Sequence, residues 1–178
     1  MKKLESTWYN MALVLTGIAV VAGAALGYVN SITAPAIEAI KAQQEKAAEL
    51  EVLNGQEGTA IKVTDPKGFG GALTVMVGLA PDGTVLGYKV LESSETPGLG
   101  AKADFWFQEG QKGDIVGKTA GKLEVSKDGG DVDAITASTI TSRAFLRCIN
   151  AAYKTLSESS SDGQSGASKQ AGKPDNNI

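Results

Sequence analysis

Residues 73–91 read LTVMVGLAPDGTVLGYKVL, and this stretch decides the fold class. Leu73, Val75, Val77 and Leu79 alternate with Thr74, Met76 and Gly78, the period-two pattern of a strand with one face in a core. Ala80, Pro81, Asp82 and Gly83 then make a turn: proline presets φ, aspartate bonds its own backbone, and glycine accepts unusual dihedrals. Residues 84–91 return as a second strand, so the pair is a hairpin. A second hairpin is expected from residues 122–126 and 132–135, around Lys127-Asp-Gly-Gly-Asp131. Further on, Phe145, Ile149, Ala152, Tyr153 and Leu156 recur at helical spacing and define a long amphipathic helix. Strands segregated from helices, with the helices on one side, make an α+β domain over residues 59–156.

Outward from this domain the chain changes character. Residues 11–29 read MALVLTGIAVVAGAALGYV without a charge, close to the roughly 20 residues that span a bilayer as a helix. Trp8, Tyr9 and Tyr28 stand at the two ends, where aromatic rings favour the membrane interface. A cleaved signal peptide is the rival reading, since Ala22, Gly23 and Ala24 are small, but its apolar region is usually about 7–15 residues. Lys2 and Lys3 precede the span and Lys41 is the first basic residue after it, so the N-terminus is expected in the cytoplasm and the domain outside. Gly23 and Gly27 form a GxxxG that allows close helix contact, or simply reflect the frequency of glycine in membrane helices. Residues 1–30 are thus a cytoplasmic stub and transmembrane anchor. Residues 31–58 are a stalk helix and linker, with Pro35 in the first turn and Asn54-Gly55 as the stop. Residues 157–178, SESSSDGQSGASKQAGKPDNNI, are too polar to pack and are expected as a disordered tail.

Composition removes most chemistry. The 178 residues include no histidine and one cysteine, Cys148. Histidine-based catalysis, histidine-ligated metals, CxxC redox chemistry and an internal disulfide are therefore out of reach, and no metal site is expected. Cys148 falls beside the apolar helix face and is expected half-buried and inert. A net charge of −3 gives no sign of a nucleic-acid partner. A borrowed cofactor, or the surface itself, must carry the function.

The informative stretch is residues 133–142, DAITASTITS, which leaves a strand and opens the amphipathic helix. Thr136, Ser138, Thr139, Thr141 and Ser142 crowd five hydroxyls into seven positions at a helix N-terminus. There the first N–H groups lack partners and the dipole is positive. Physics alone leaves two readings, helix capping and phosphate binding.

The same residues resemble the flavinylation motif of the FMN-binding domain in the RnfG/NqrC family, subunits of ion-translocating respiratory complexes. Asp133, Ile135, Thr136, Ala137, Thr139, Thr141 and Ser142 match it. Residues 95–100, ETPGLG, resemble the loop that cradles the flavin in that family. The resemblance covers residues 1–156 and implies FMN held covalently through a phosphoester on Thr139, attached by a separate flavin transferase that uses FAD. Around it the resemblance places Glu95, Thr96, Gly98, Leu99, Gly100 and Lys102 on the flavin loop, with Thr136, Ala137, Ser138, Thr141 and Ser142 on the motif. Leu99 is expected against the ring face. Glu95 either bonds the flavin or caps its turn, and Lys102 either neutralises an anion or is solvated. Phe105, Trp106 and Phe107 are expected in a core or interface. The family usually has Gly-Ala before the acceptor threonine; here Ala137-Ser138 stands there, and Ser138 is a competing hydroxyl.

By this resemblance the chain is expected to be an electron-carrying subunit of a membrane-bound Rnf-type ferredoxin:NAD oxidoreductase, a redox subunit of a translocase that is not catalytic alone. Its partners are the other subunits of that complex, in the inner (plasma) membrane, with the FMN domain periplasmic. The alternatives are the C subunit of the sodium-translocating NADH:quinone reductase and a cofactor-free membrane-anchored scaffold.

Overall fold

The computed structural model describes residues 8–165. Residues 1–7 of the expected stub and 166–178 of the expected tail lie outside the described residues. The element order is α1 (Trp8–Leu53), β1 (Thr59–Asp65), β2 (Leu73–Leu79), β3 (Val85–Ser93), α2 (Ala103–Trp106) and α3 (Thr139–Ser165), an α+β arrangement. The described residues divide into two compact units, with the boundary between Gln44 and Glu45.

The expected anchor and stalk helix form one continuous element, with Pro35 inside it rather than in a first turn. In the first unit the apolar side chains point outward: Leu13 is 73% exposed and Val21 70%. A helix that shows its apolar residues all round suits lipid rather than water. Its apolar stretch, of mean hydropathy 2.1, is long enough to cross a membrane.

In the second unit the three strands make an antiparallel sheet in the order β1-β2-β3, pairing Val63 with Val75 and Val77 with Tyr88 across the register. The turn between β2 and β3 follows its sequence: Gly83 has φ 84°, and Asp82 Oδ1 accepts the Thr84 N–H at 2.9 Å. β1 is a half-buried edge strand in which Ile61 and Val63 alternate with Lys62 and Thr64. The central strand, β2, is buried on both faces. Leu73, Val75, Val77 and Leu79 join Phe145, Ile149 and Ala152 of α3 in the main core. Met76 faces the other way, onto Ala48 and Val52 in the last turns of α1. Gly78 and Gly87 let that helix end approach, because a Cβ on Gly87 would stand 3.0 Å from the Val52 carbonyl oxygen. Helices therefore cover both faces of the sheet, not one as the sequence pattern suggested, because α1 brings apolar residues back onto it.

The expected second hairpin does not form. Val125 and Val132 share a single parallel bridge, both buried, and residues 126–128 take a tight helical turn that ends at Gly129 with φ 94°. Arg143 holds this turn through a fork of bonds to Asp128, at 2.6 and 2.7 Å. Helix α3 runs on to Ser165, so residues 157–165 of the expected tail are helical.

Tyr88 fastens residues 103–107, which follow β3 and the loop of residues 95–100. Its hydroxyl donates to the Ala103 carbonyl at 2.8 Å and accepts the Phe107 N–H at 3.1 Å. Burial pushes its phenol well above the ordinary range. Phe107 stacks on Phe145 at 4.3 Å in the core, and Trp106 Nε1 donates to the Asp133 carbonyl at 2.8 Å. Cys148 is fully buried rather than half-buried, and burial pushes its thiol up to about 12, which leaves no thiolate at neutral pH.

Candidate functional site

The site begins where the chain leaves the core at Ile135 and enters α3 at Thr139. Ile135 is buried, so the next residues must turn sharply at the surface of the core. Ala137 makes the turn in the left-handed region, with φ 62°. That conformation costs a residue with a Cβ about 1–2 kcal/mol. Ser142 holds the turn closed. Its hydroxyl accepts the Ile135 N–H at 2.9 Å and donates to the Ser138 carbonyl at 3.0 Å. One hydroxyl of the motif is thus a clamp, which frees the others for different work. Ser138 is buried, Thr139 is half-buried, and Thr136 is exposed.

The facing wall comes from residues 95–100. The Thr96 carbonyl accepts the N–H groups of Leu99 at 3.1 Å and Ala101 at 3.3 Å, so the loop curls on itself. Glu95 is 8% exposed, and its Oε1 accepts the Gly70 N–H at 3.2 Å, tying this loop to the one between β1 and β2. Gly100 is required by closeness: a Cβ there would run into Glu95 Oε2 and stand 2.8 Å from Thr141 Oγ1.

Between the two walls lies a cavity of about 350 Å³, within the range of small-molecule sites. Glu95, Thr96, Leu99 and Gly100 line one side, and Ala137, Ser138, Thr139 and Thr141 the other. The two stretches singled out in the sequence, some forty residues apart, therefore share one space. Gly98, Lys102, Thr136 and Ser142 are not in the wall. Gly98 serves the turn with φ 79°, Lys102 ends a short helical turn outside the cavity, and Ser142 works from behind as the clamp. Phe105, Trp106 and Phe107 also stay out of the lining.

Three further residues belong here. Phe69, from the loop between β1 and β2, and Ile140 line the cavity. Lys127 donates to Thr139 Oγ1 at 3.3 Å, bringing a positive charge to the first residue of α3. It adds to the positive end of the helix dipole, so the Thr139 end of the cavity favours an anion. The opposite character lies deeper. Thr141 Oγ1 is fully buried and makes no hydrogen bond, although helical threonines ordinarily bond a carbonyl one turn back. A buried hydroxyl without a partner is a standing cost that a ligand atom can relieve. Among the described residues no cluster of Cys, Asp or Glu could hold a metal ion.

Comparison with known proteins agrees with this layout. Residues 68–154 match the family model of the FMN-binding domain, a span that contains both walls of the cavity. The chain is 34% identical over 134 residues to the G subunit of the ion-translocating oxidoreductase complex of Vibrio atlanticus, covering 72% of this chain and 64% of that protein. It is 38% identical over 130 residues to the corresponding protein of Aliivibrio fischeri, covering 68% of this chain and 61% of that one. With the Escherichia coli protein of the same name it shares 40% identity over 96 residues, 52% of this chain and 47% of the other. The matches span about three-fifths of the length of the first two relatives. Residues 68–154 are thus similar to the FMN-binding domain family, and about 70% of the chain is similar to the G subunits of ion-translocating oxidoreductase complexes.

Proposed function

We propose that this chain is an electron-carrying subunit of a membrane-bound, ion-translocating Rnf-type oxidoreductase, which passes electrons through an FMN joined to Thr139 by a phosphoester. The observation that carries the reading is the meeting of residues 95–100 with the hydroxyl-rich start of α3 around one cavity that is cationic at Thr139 and holds an unpaired hydroxyl at Thr141. The residues present fit FMN. The Thr139 hydroxyl, reachable from solvent, is the acceptor for the phosphoryl group. Lys127 and the α3 N-terminus offset the charge that a phosphodiester retains. Thr141 offers a hydroxyl to the polar edge of the ring, and Gly100 leaves the room for it. Glu95 holds two loops in place through Gly70. Ser138 is the neighbour that competes for the phosphoryl group, but it is more buried than Thr139. Bound FMN supplies reversible one- and two-electron carriage, and the protein supplies its position and its shielding.

The apolar part of α1 anchors the chain in the membrane, with the FMN domain on the extracytoplasmic side by the placement of Lys2 and Lys3. A covalent link suits that location, where a diffusible flavin would be lost. Other Rnf subunits are the electron donors and acceptors, in a complex that couples ferredoxin and NAD chemistry to ion movement. A flavin transferase attaches the cofactor.

The test is the full chain made together with its flavin transferase and run on a denaturing gel under ultraviolet light. Wild type is expected to fluoresce and Thr139→Ala to be dark. Fluorescence in both lanes would move the bond, Ser138 being the first place to look. Darkness in both would overturn the carrier reading in favour of a scaffold.

A further inference from the structure

Phe69 stands out among the residues that neither the motif nor the 95–100 loop includes. It lines the cavity, yet it is 71% exposed. Large aromatic side chains bury about 150–250 Å² each when they find a surface, so an open one at the mouth of a cavity is an unused contact. Its loop is tied down on every side. Arg147 bonds Asp65 at 2.6 Å and the Lys67 carbonyl at 3.3 Å. Asp65 Oδ1 accepts the Lys67 N–H at 2.6 Å, and Glu95 accepts that of Gly70 at 3.2 Å. Gly68 and Gly70 bring the loop so close that a Cβ on Gly68 would stand 2.9 Å from Glu95 Oε1, and one on Gly70 would run into the Ser94 carbonyl. A mobile loop needs no such fixing. Here the backbone is pinned and only the ring is presented.

Two other apolar side chains border the same space from different segments, Ile140 at 50% exposure and Leu99 at 43%. Beneath them lie the Thr141 hydroxyl without a partner and the Glu95 carboxylate. Apolar walls above a polar floor fit a flat ring system with apolar faces and a polar edge. A purely aliphatic occupant would leave Thr141 unsatisfied.

We infer that Phe69 is a wall of the flavin-ring site and stacks on the planar ring when FMN is bound, with Glu95 and Arg147 as the residues that position its loop. The inference rests on the FMN reading above and adds a contact from a loop outside both recognised motifs.

Full-length Thr139→Ala protein in detergent, which lacks the proposed acceptor hydroxyl, is titrated with FMN, and the double variant with Phe69→Ala is titrated beside it. In parallel, iodide quenching of flavin fluorescence is measured on the covalently loaded chain with and without Phe69→Ala. Phe69 is exposed, so its removal leaves folding within about 0.5 kcal/mol. The loss of one aromatic stack raises the FMN dissociation constant by roughly 2- to 10-fold and exposes the flavin to iodide. Phe69→Tyr restores both. An unchanged dissociation constant and unchanged quenching in a chain that does bind FMN would overturn the Phe69 assignment alone. So would Phe69→Ala protein that holds FMN normally but no longer assembles with its membrane partners, since Phe69 would then be a protein contact. A wild-type chain that never binds FMN overturns the FMN reading as well, a result distinct from both.

Discussion

Thr141→Val replaces a fully buried hydroxyl that has no partner with a methyl group of nearly the same shape. In the chain without flavin this removes an unsatisfied buried group, whose cost is about 1–3 kcal/mol. Valine in place of threonine changes the volume little, and both are β-branched, so helix propensity is almost untouched. The net expectation is a stabilisation of about 1–2 kcal/mol, which for a domain of this size raises the melting temperature by roughly 4–8 °C. In the flavin-loaded chain the sign reverses. On the proposed reading the hydroxyl bonds the ring there, and its loss leaves a ligand atom unpaired, so the gain from loading shrinks by about 1–3 kcal/mol. Thermal unfolding of both forms, followed by near-ultraviolet circular dichroism, reads the two signs in one experiment. A Thr141→Val chain less stable than wild type without flavin would show that the hydroxyl is already satisfied, and the account of the polar floor would fall.

Three further outcomes follow from the same geometry. Ala137→Gly relieves the left-handed backbone at φ 62°; after the greater flexibility of unfolded glycine is subtracted, it stabilises by about 0.5–1 kcal/mol, and a lower urea midpoint would contradict this. Ser142→Ala strands the buried Ile135 N–H and opens the clamp; it costs about 2 kcal/mol in urea unfolding and slows modification of Thr139, whereas a neutral result would mean the turn is held by other bonds. The Arg147 guanidinium holds the Asp65 carboxyl below its ordinary value of 3.8. That contribution to stability is therefore complete above the unfolded value and is lost as pH falls through the lower folded one, so Asp65→Asn is less stable than wild type at pH 7 and the gap closes below about pH 4. A gap that stayed constant from pH 7 to pH 3 in urea midpoints would show that the ion pair contributes nothing.

What could be read in the sequence was local. The alternation from Leu73 to Leu79 and the Pro81-Asp82-Gly83 turn reappear as a hairpin because pattern and turn chemistry agree there. The same logic failed around Lys127-Asp-Gly-Gly-Asp131. Val125 and Val132 point into the core and meet in one bridge, and Arg143, from a helix further along the chain, fixes the turn between them. β1 carried a readable signal, Ile61 and Val63 between Lys62 and Thr64, but a short half-exposed edge strand speaks weakly. Pro35 reads as a helix start, yet the helix passes through it. At the site, Thr139 and Gly100 were legible because their neighbours form motifs. Phe69 and Lys127 were not, since tertiary folding alone brings them to the cavity. The trace that Phe69 did leave is an aromatic set among glycines at positions 68, 70 and 71. The division of labour among five hydroxyls was also hidden: only the structure separates Ser142 the clamp from Thr141 the unpaired donor and Thr139 beside a lysine.

The central claim is a single covalent FMN on Thr139, and peptide mass spectrometry of the full chain, made with its flavin transferase, tests it most directly. The account predicts that the peptide containing residues 136–142 gains the mass of FMN less one water, with fragmentation placing it on Thr139. A chain that emerges at its unmodified mass, or that carries the group on another residue, would contradict it.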